Sequence, residues 1–295
     1  MDEKTEFSRP CILGFLSLLA GVSLKIVIAG ELPLVEEIAA LNVQVGHEVS
    51  VYLVETLRDA QTAQKLVAEM RDAEVAIECH NETRKAKRRL LEMMAGSPES
   101  GDSRRRAKPA LSKVEGSETS DSGSPLLLVC ALACSTTEAA SWLPGPHTVS
   151  GWSAIPPLES GGAVEIARGL RTSDETAGRA AEFWRGLGLE VEEVADGPGL
   201  VRARVLCCLI NEAASALMEG VASAEDIDTA MQLGTNYPRG PLAWGDLMGL
   251  DVVLGVMRGL YEEYREDRYR PSPLLVRYVQ AGWLGKKAGR GFFPT

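Results

Sequence analysis

Histidine is scarce in this sequence. Only His47, His80 and His147 occur in 295 residues, and the six cysteines (Cys11, Cys79, Cys130, Cys134, Cys207 and Cys208) show no paired ligand spacing. A zinc site has few ligands to draw on, so no metal is expected, and the thiols fit a reducing, cytoplasmic setting better than a disulfide framework. Positive charge is also in short supply. With 31 Lys and Arg against 41 Asp and Glu, the formal charge is -10. That balance gives no sequence-wide attraction for phosphate backbones or anionic lipid, and nucleic acid is not an expected partner. A long uninterrupted apolar run is missing too. Residues 11 to 24 (CILGFLSLLAGVSL) have the apolar character of a secretory signal, but the preceding MDEKTEFSRP carries Asp2, Glu3 and Glu6 against Lys4 and Arg9, where a signal peptide is basic. Counting on to Gly30 gives a stretch long enough to span a bilayer but interrupted by Lys25. Residues 24 to 30 (LKIVIAG) read instead as a short buried β-strand ending in glycine, which argues against a membrane helix and leaves residues 1 to 23 as an extension of unassigned role.

What is present is the material of a folded globular chain. Hydrophobic residues make up 45% and charged residues 24%, and the length suggests two domains of roughly 100 to 200 residues each. After the first strand, Leu34, Ile38 and Leu41 recur at helical spacing, and HEVSVYLV (47 to 54) reads as a second strand. A helix over 57 to 71, a strand over 73 to 79, a basic helix from about 82 to 94 and the apolar strand 125 to 131 follow. Such alternation predicts a mostly parallel sheet covered by helices. Residues 96 to 124 switch to a Ser-, Gly- and acid-rich composition and read as a disordered surface insertion. Its RRR run (104 to 106) is offset by acidic neighbours, and the KAKRR run (85 to 89) reads as a solvated helix face. Beyond Asp196 strand signals stop. Helices are expected over 200 to 219, 223 to 233, 240 to 265 and 272 to 282, with Gly220 stopping the first and Pro241 near the first turn of the third. The expected division is an extension (1–23), an α/β domain (24–197) and a helical domain (198–295).

The C-terminal hundred residues carry the most specific pattern. Asn211-Glu212, Ala224 to Asp228, Gly234, Pro238-x-Gly240-Pro241, Asp246 to Asp251, Pro271 to Leu275 and Lys287-x-Gly289-x-Gly291-Phe292 occur in order, with VEIARGLRTSDETAGRAAEFWRGLGLEVEEVADGPG (164 to 199) upstream. In these features the chain resembles the 3-hydroxyacyl-CoA dehydrogenase family over residues 24 to 57 and 73 to 295, the insertion excepted. The resemblance implies a Rossmann-type, mostly parallel sheet followed by an all-α dimerisation domain. It also implies NAD as cofactor, acyl-CoA thioesters as substrates, and a homodimer, or a heterodimer with an active relative.

At the functional positions the sequence departs from the family pattern. A GxGxxG turn lets the backbone approach a pyrophosphate, but the three glycine positions here hold Gly30, Leu32 and Val35. Leu32 projects a side chain where phosphates would sit, and Glu31, Glu36 and Glu37 bring carboxylates to the same helix start. Like charges about 4 Å apart cost roughly 1 to 4 kcal/mol. The acidic residue expected at the end of the second strand aligns with Leu53; Glu55, two residues on, would need local rearrangement to replace it. The family pairs a histidine general base with a glutamate twelve residues later. Glu165 stands in the glutamate position, Ser153 in the histidine position, and Ala203 where the family has a carbonyl-polarising asparagine. His147 is the nearest alternative base. The helper serine falls at about Leu132, with Ser135 three residues away, and a single helix replaces the hairpin that many members insert after the second strand.

The expectation is therefore a family member that binds or acts on acyl-CoA thioesters with impaired or absent catalysis, as a pseudoenzyme or partner subunit. An active NAD-dependent 3-hydroxyacyl-CoA dehydrogenase of fatty-acid metabolism is the alternative, and a decaying gene without selected function a third.

Overall fold

The computed structural model describes residues 23–81, 83–96, 125–144 and 147–294. The N-terminal extension, Ser23 excepted, and the insertion, Gly96 excepted, lie outside the described residues.

Strand β1 (Lys25–Gly30) is followed by α1 (Leu34–Gln44), β2 (Glu48–Leu53), a 3-10 turn (Thr56–Arg58), α2 (Ala60–Glu69), β3 (Val75–Cys79) and α3 (Arg84–Met94). Next come β4 (Leu126–Cys130), α4 (Thr136–Ser141), β5 (Val149–Ser153), β6 (Ala163–Ala167), α5 (Asp174–Gly186) and β7 (Glu190–Val194). The seven strands form one sheet in the order β2-β1-β3-β4-β5-β6-β7. Every pairing is parallel except the antiparallel β5–β6. The four strands anticipated up to residue 131 are present, and the single helix anticipated between β2 and β3 is α2, preceded by the 3-10 turn. The short β5, β6 and β7 and helices α4 and α5 were not delimited by periodicity.

Alternation along the strands divides the core. Ile26 and Ile28 of β1 point to one face, Val27 and Ala29 to the other, as a period of two requires. The helices enter through side-chain caps: Asp59 accepts the Thr62 N–H at 2.8 Å to start α2, Thr83 the Ala86 N–H at 3.2 Å to start α3, and Ser173 the Thr176 N–H at 3.1 Å to start α5. Each satisfies a backbone donor that the first helical turn leaves open.

The KAKRR run is not simply a solvated face. Lys87 is fully buried and pairs with the equally buried Glu78 of β3. It shares the inner face of α3 with Leu90, Leu91 and Met94, because residues three, four and seven positions apart lie on one side of a helix.

The C-terminal part is helical: α6 (Arg202–Met218), α7 (Ala224–Thr235), α8 (Pro241–Met248), α9 (Leu250–Tyr264) and α10 (Pro273–Gln280), with 3-10 turns at Asp267–Tyr269 and Lys286–Ala288. The expected division at 197/198 falls in the stretch joining β7 to α6. The single helix expected over 240 to 265 is two helices, broken at Gly249, whose φ of +96° is outside the helical range. Gly240 has no side chain to cap α8, so Asp228 of α7 accepts the N–H groups of Leu242 (2.8 Å) and Ala243 (2.9 Å).

The sheet and helical parts share one apolar core. Ile28, Leu128 and Trp152 belong to the same buried cluster as Ile210, Leu254 and Met257. At the seam, a Cβ on Gly259 of α9 would lie 2.3 Å from the Ala133 carbonyl oxygen, so the helix backbone rests directly on the loop after β4. Among the described residues no helix is long and apolar enough to cross a membrane, and no group of His, Cys, Asp and Glu is placed to hold a metal ion.

Candidate functional site

Parallel α/β sheets bind ligands beyond the carboxyl ends of their strands, where the strand order reverses direction. Here that point lies between β1 and β3. A cleft opens there, walled by Glu31, Leu32, Pro33 and Leu34 from the β1–α1 loop and by Cys79 and Asn81 from the end of β3. Leu132, Ala154 and Pro156 close its sheet side, and Met248 and Val252 of the helical part close the top. Its volume is about 20 Å³, room for a single water-sized group.

The start of α1 leaves few free backbone donors. A helix start normally presents free N–H groups and a positive dipole end to a phosphate. In α1 the Val35 N–H donates to the Glu31 carbonyl (3.3 Å), and those of Glu36 (3.0 Å) and Glu37 (3.2 Å) to the Pro33 carbonyl. Pro33 has no N–H to give. Glu31 Oε1 lies 2.5 Å from Nδ1 of the buried His80, and Glu37 accepts the Leu158 N–H at 3.0 Å. Burial raises the Glu37 pKa, opposed by that bond and aided by Glu159. The three residues at the glycine positions take different places. Gly30 meets Cys79 across the β1–β3 pairing, where an added Cβ would come within 2.5 Å of the Cys79 Cβ, so close strand packing accounts for this glycine. Leu32 is 42% exposed on the cleft wall, and Val35 is wholly buried under the sheet. Glu55 is exposed beyond the end of β2, as the start of the 3-10 turn.

The second group of expected residues does converge. Ser153 and Glu165 stand opposite one another in the antiparallel β5–β6 pair, both buried. The Ser153 hydroxyl donates to Glu165 Oε2 at 3.1 Å. Both oxygens of Glu165 accept the Arg202 N–H, at 3.0 and 3.2 Å. Arg202 is the first residue of α6, whose preceding residue Val201 supplies no side-chain cap, so Glu165 performs that capping from the sheet. Ala203, next in the helix, is fully buried and apolar. A serine hydroxyl beside this carboxylate is a donor, with no basic nitrogen to take a proton at neutral pH.

The other expected stand-ins lie elsewhere or have other work. His147 precedes β5 at its far end, six residues or about 20 Å along the strand direction from Ser153, and its Nε2 lies 2.7 Å from the Pro144 carbonyl. Ser135 caps α4 by accepting the Glu138 N–H, and Leu132 is buried.

Pro33, His80, Asn81 and the Glu78–Lys87 pair carry much of this geometry and were not singled out in the sequence. Only Pro33, a proline at a helix start in a glycine-loop position, offered a local signal. Glu78 accepts the N–H groups of His80 (2.6 Å) and Cys130 (3.2 Å) as well as the Lys87 ammonium, which also reaches the His80 carbonyl (3.1 Å). Burial pushes the neighbouring Cys79 thiol well up, the Cys130 thiol to about 11 and the Cys134 thiol to about 12, so these sulfurs stay protonated at neutral pH.

A seven-stranded, mostly parallel sheet with a cleft at its reversal point and a helical part closing over it defines a Rossmann-type dehydrogenase fold. The sequence profile of the C-terminal domain of 3-hydroxyacyl-CoA dehydrogenase matches residues 199–294. A 3-hydroxybutyryl-CoA dehydrogenase of Bradyrhizobium diazoefficiens is 34% identical over 260 residues, covering 86% of this chain and 81% of that protein. A probable 3-hydroxybutyryl-CoA dehydrogenase of Bacillus subtilis is 46% identical over 157 residues, 53% of this chain, and the match spans about half (55%) of that relative. In three dimensions the chain is similar to the (S)-3-hydroxybutyryl-CoA dehydrogenase of Ralstonia eutropha, with a TM-score of 0.67, 28% identity and coverage of 92% of this chain and 99% of that one. The chain belongs to the 3-hydroxyacyl-CoA dehydrogenase family.

Proposed function

We propose that this chain is a divergent family member that binds an acyl-CoA thioester, or serves as the partner subunit of an active relative, without itself transferring hydride. The acyl-CoA part of this reading rests on the relatives, whose names carry that substrate class. The observation that carries the non-catalytic part is the β1–α1 loop. NAD, the cofactor the resemblance implies, would bring a pyrophosphate to a helix start where Pro33 offers no donor, three N–H groups are already engaged, and Glu31 and Glu37 stand close by. These residues do not fit a dinucleotide. Ser153 in the place of a general base supports the same reading, since a positioned base contributes about 10² to 10⁴ in rate, and Glu165 has a structural occupation as the cap of α6.

Pairing through the helical part belongs to the same proposal. Of the twelve residues of α7 only Ala224 and Asp228 are buried, and Leu233 (83% exposed) and Val221 (71%) stand open to solvent. An apolar surface left open on a folded chain suits a second copy or a homologous subunit. We take the cytoplasm as its setting.

The deciding experiment titrates the purified protein with NADH by nicotinamide fluorescence and heat, alongside turnover of acetoacetyl-CoA. No saturable binding into the millimolar range and no NADH consumption are expected. Micromolar binding with turnover would overturn the reading and restore the active NAD-dependent dehydrogenase.

A further inference from the structure

The two edges of the sheet, β2 and β7, differ in charge. β7 (EVEEV) sets out Glu190, Glu192 and Glu193, and Arg168 engages the last of these. A second β7 laid beside it would bring like carboxylates together, a device that keeps sheet edges apart. β2 (EVSVYL) has no proline, no lysine and a single charged residue, Glu48 at its start. Five of its six residues stay partly or fully exposed, Tyr52 being the exception, and Val51 is 44% exposed.

The direction of the backbone groups shows what this edge offers. The Glu48 N–H donates to the Leu24 carbonyl at 2.9 Å and the Val54 N–H to the Gly30 carbonyl at 3.0 Å, so the even-numbered residues of β2 face β1. Alternation along a strand then turns the N–H and C=O groups of Val49, Val51 and Leu53 outward. Among the described residues one side chain meets this row: the Thr56 hydroxyl donates to the Leu53 carbonyl at 2.7 Å, and a carbonyl oxygen keeps a second lone pair. The same three residues share one face of the sheet, where Val49 and Leu53 pack against the core and Val51 does not.

We infer that β2 pairs antiparallel with β2 of a second copy of this chain, about a two-fold axis at Val51 that joins the two sheets edge to edge. In this register Val51 faces Val51 of the second copy, and the two exchange both backbone hydrogen bonds as an antiparallel pair of outward-facing residues does. Val49 faces Leu53 in the same way, and Ser50 faces Tyr52. Glu48 falls opposite Val54, so no carboxylate meets its own copy. Each copy satisfies the other's open row of donors and acceptors, and the exposed valine is covered by its equivalent, which makes the edge self-complementary. The strand lies apart from α7, so the inference goes beyond the pairing proposed for the helical part, and the two surfaces used together join more than two copies.

The test uses the full chain carrying Val51→Cys, Val49→Cys or Leu53→Cys, each oxidised with copper phenanthroline in dilute solution and run on a non-reducing gel beside the parent. Across the axis the two Val51 Cα atoms lie about 5.5 Å apart, within disulfide reach, whereas Val49 and Leu53 each lie about 14 Å along the strand from their own equivalents. Covalent dimer should form at least tenfold faster from Val51→Cys than from the parent or from either other variant alone. Val49→Cys and Leu53→Cys chains produced together should cross-link as Val51→Cys does. Val51→Lys, first shown by thermal melt to remain folded, should halve the sedimenting mass of the parent. The inference is overturned if Val51→Cys cross-links no faster than the parent, as when another segment of the chain covers the edge. It is equally overturned if Val49→Cys alone matches Val51→Cys, or if folded Val51→Lys keeps the parent's mass. Leu233→Asp separates the two surfaces. Loss of mass in that variant with none in Val51→Lys removes the strand pairing and leaves the helical one, and the reverse result leaves the strand pairing alone.

Discussion

Replacing Lys87 by methionine should destabilise this protein more than most single changes. The ammonium and the Glu78 carboxylate are both 0% exposed, so neither can recover solvation when its partner is removed. Lys87→Met leaves Glu78 with only two backbone N–H partners, His80 and Cys130, and a negative charge stranded beneath the sheet. Breaking a buried pair from one side costs about 3 to 5 kcal/mol. At roughly 2 to 4 °C per kcal/mol for a protein of this size class, the melting temperature should fall by about 6 to 20 °C. Calorimetry and urea unfolding at neutral pH measure both quantities. The double variant Glu78→Leu with Lys87→Met removes both charges and should recover most of the loss, because well-packed apolar replacements of buried pairs are often neutral. A single variant within about 1 kcal/mol of the parent would refute the reasoning. The pH dependence has a definite sign. Burial pushes the Lys87 pKa down, but the attraction of Glu78 outweighs it and leaves the pKa raised. A lysine raised in the folded state contributes stability that is complete below its unfolded value of about 10.4 and is lost as pH rises beyond it. The contribution should therefore be constant across neutral pH and fade only in strong alkali.

Two further outcomes follow from the site geometry. Gly30→Ala should destabilise by about 1 to 3 kcal/mol or more, since the new Cβ would lie 2.5 Å from the Cys79 Cβ; a melt unchanged from the parent would show that β1 and β3 can part without penalty. Ser153→His should yield no measurable oxidation of 3-hydroxybutyryl-CoA, because the loop facing the cofactor and Ala203 in place of a carbonyl-polarising side chain are unchanged; turnover by this single variant would refute that account.

The order of strands and helices up to residue 131 was legible because short apolar runs such as 24 to 30 and 125 to 131 alternate with longer segments of helical character. Strands β5 to β7 are no shorter than β3 and β4, but β5 (VSGWS) breaks its apolar residues with serine and glycine, and β7 (EVEEV) exposes most of its side chains. Gly249 hid the break between α8 and α9, because apolar helical spacing runs through Met248 and Leu250 on both sides of it. That Ser153 and Glu165 belong together was readable only through the family resemblance, which sets those two positions twelve residues apart. The burial of Lys87 was not, since a lysine within a basic run looks solvated until the strand bearing Glu78 is placed beside it. Nor was the cleft, whose wall brings Glu31 and Asn81 together across fifty residues of chain.

The contact of Gly259 with the Ala133 carbonyl has a bearing beyond packing. At that point main chain presses on main chain, and with the apolar core that the two parts share the helical part and the sheet should unfold in one step. A scaffold arranged in this way can change what it binds, or stop catalysing altogether, and keep its shape.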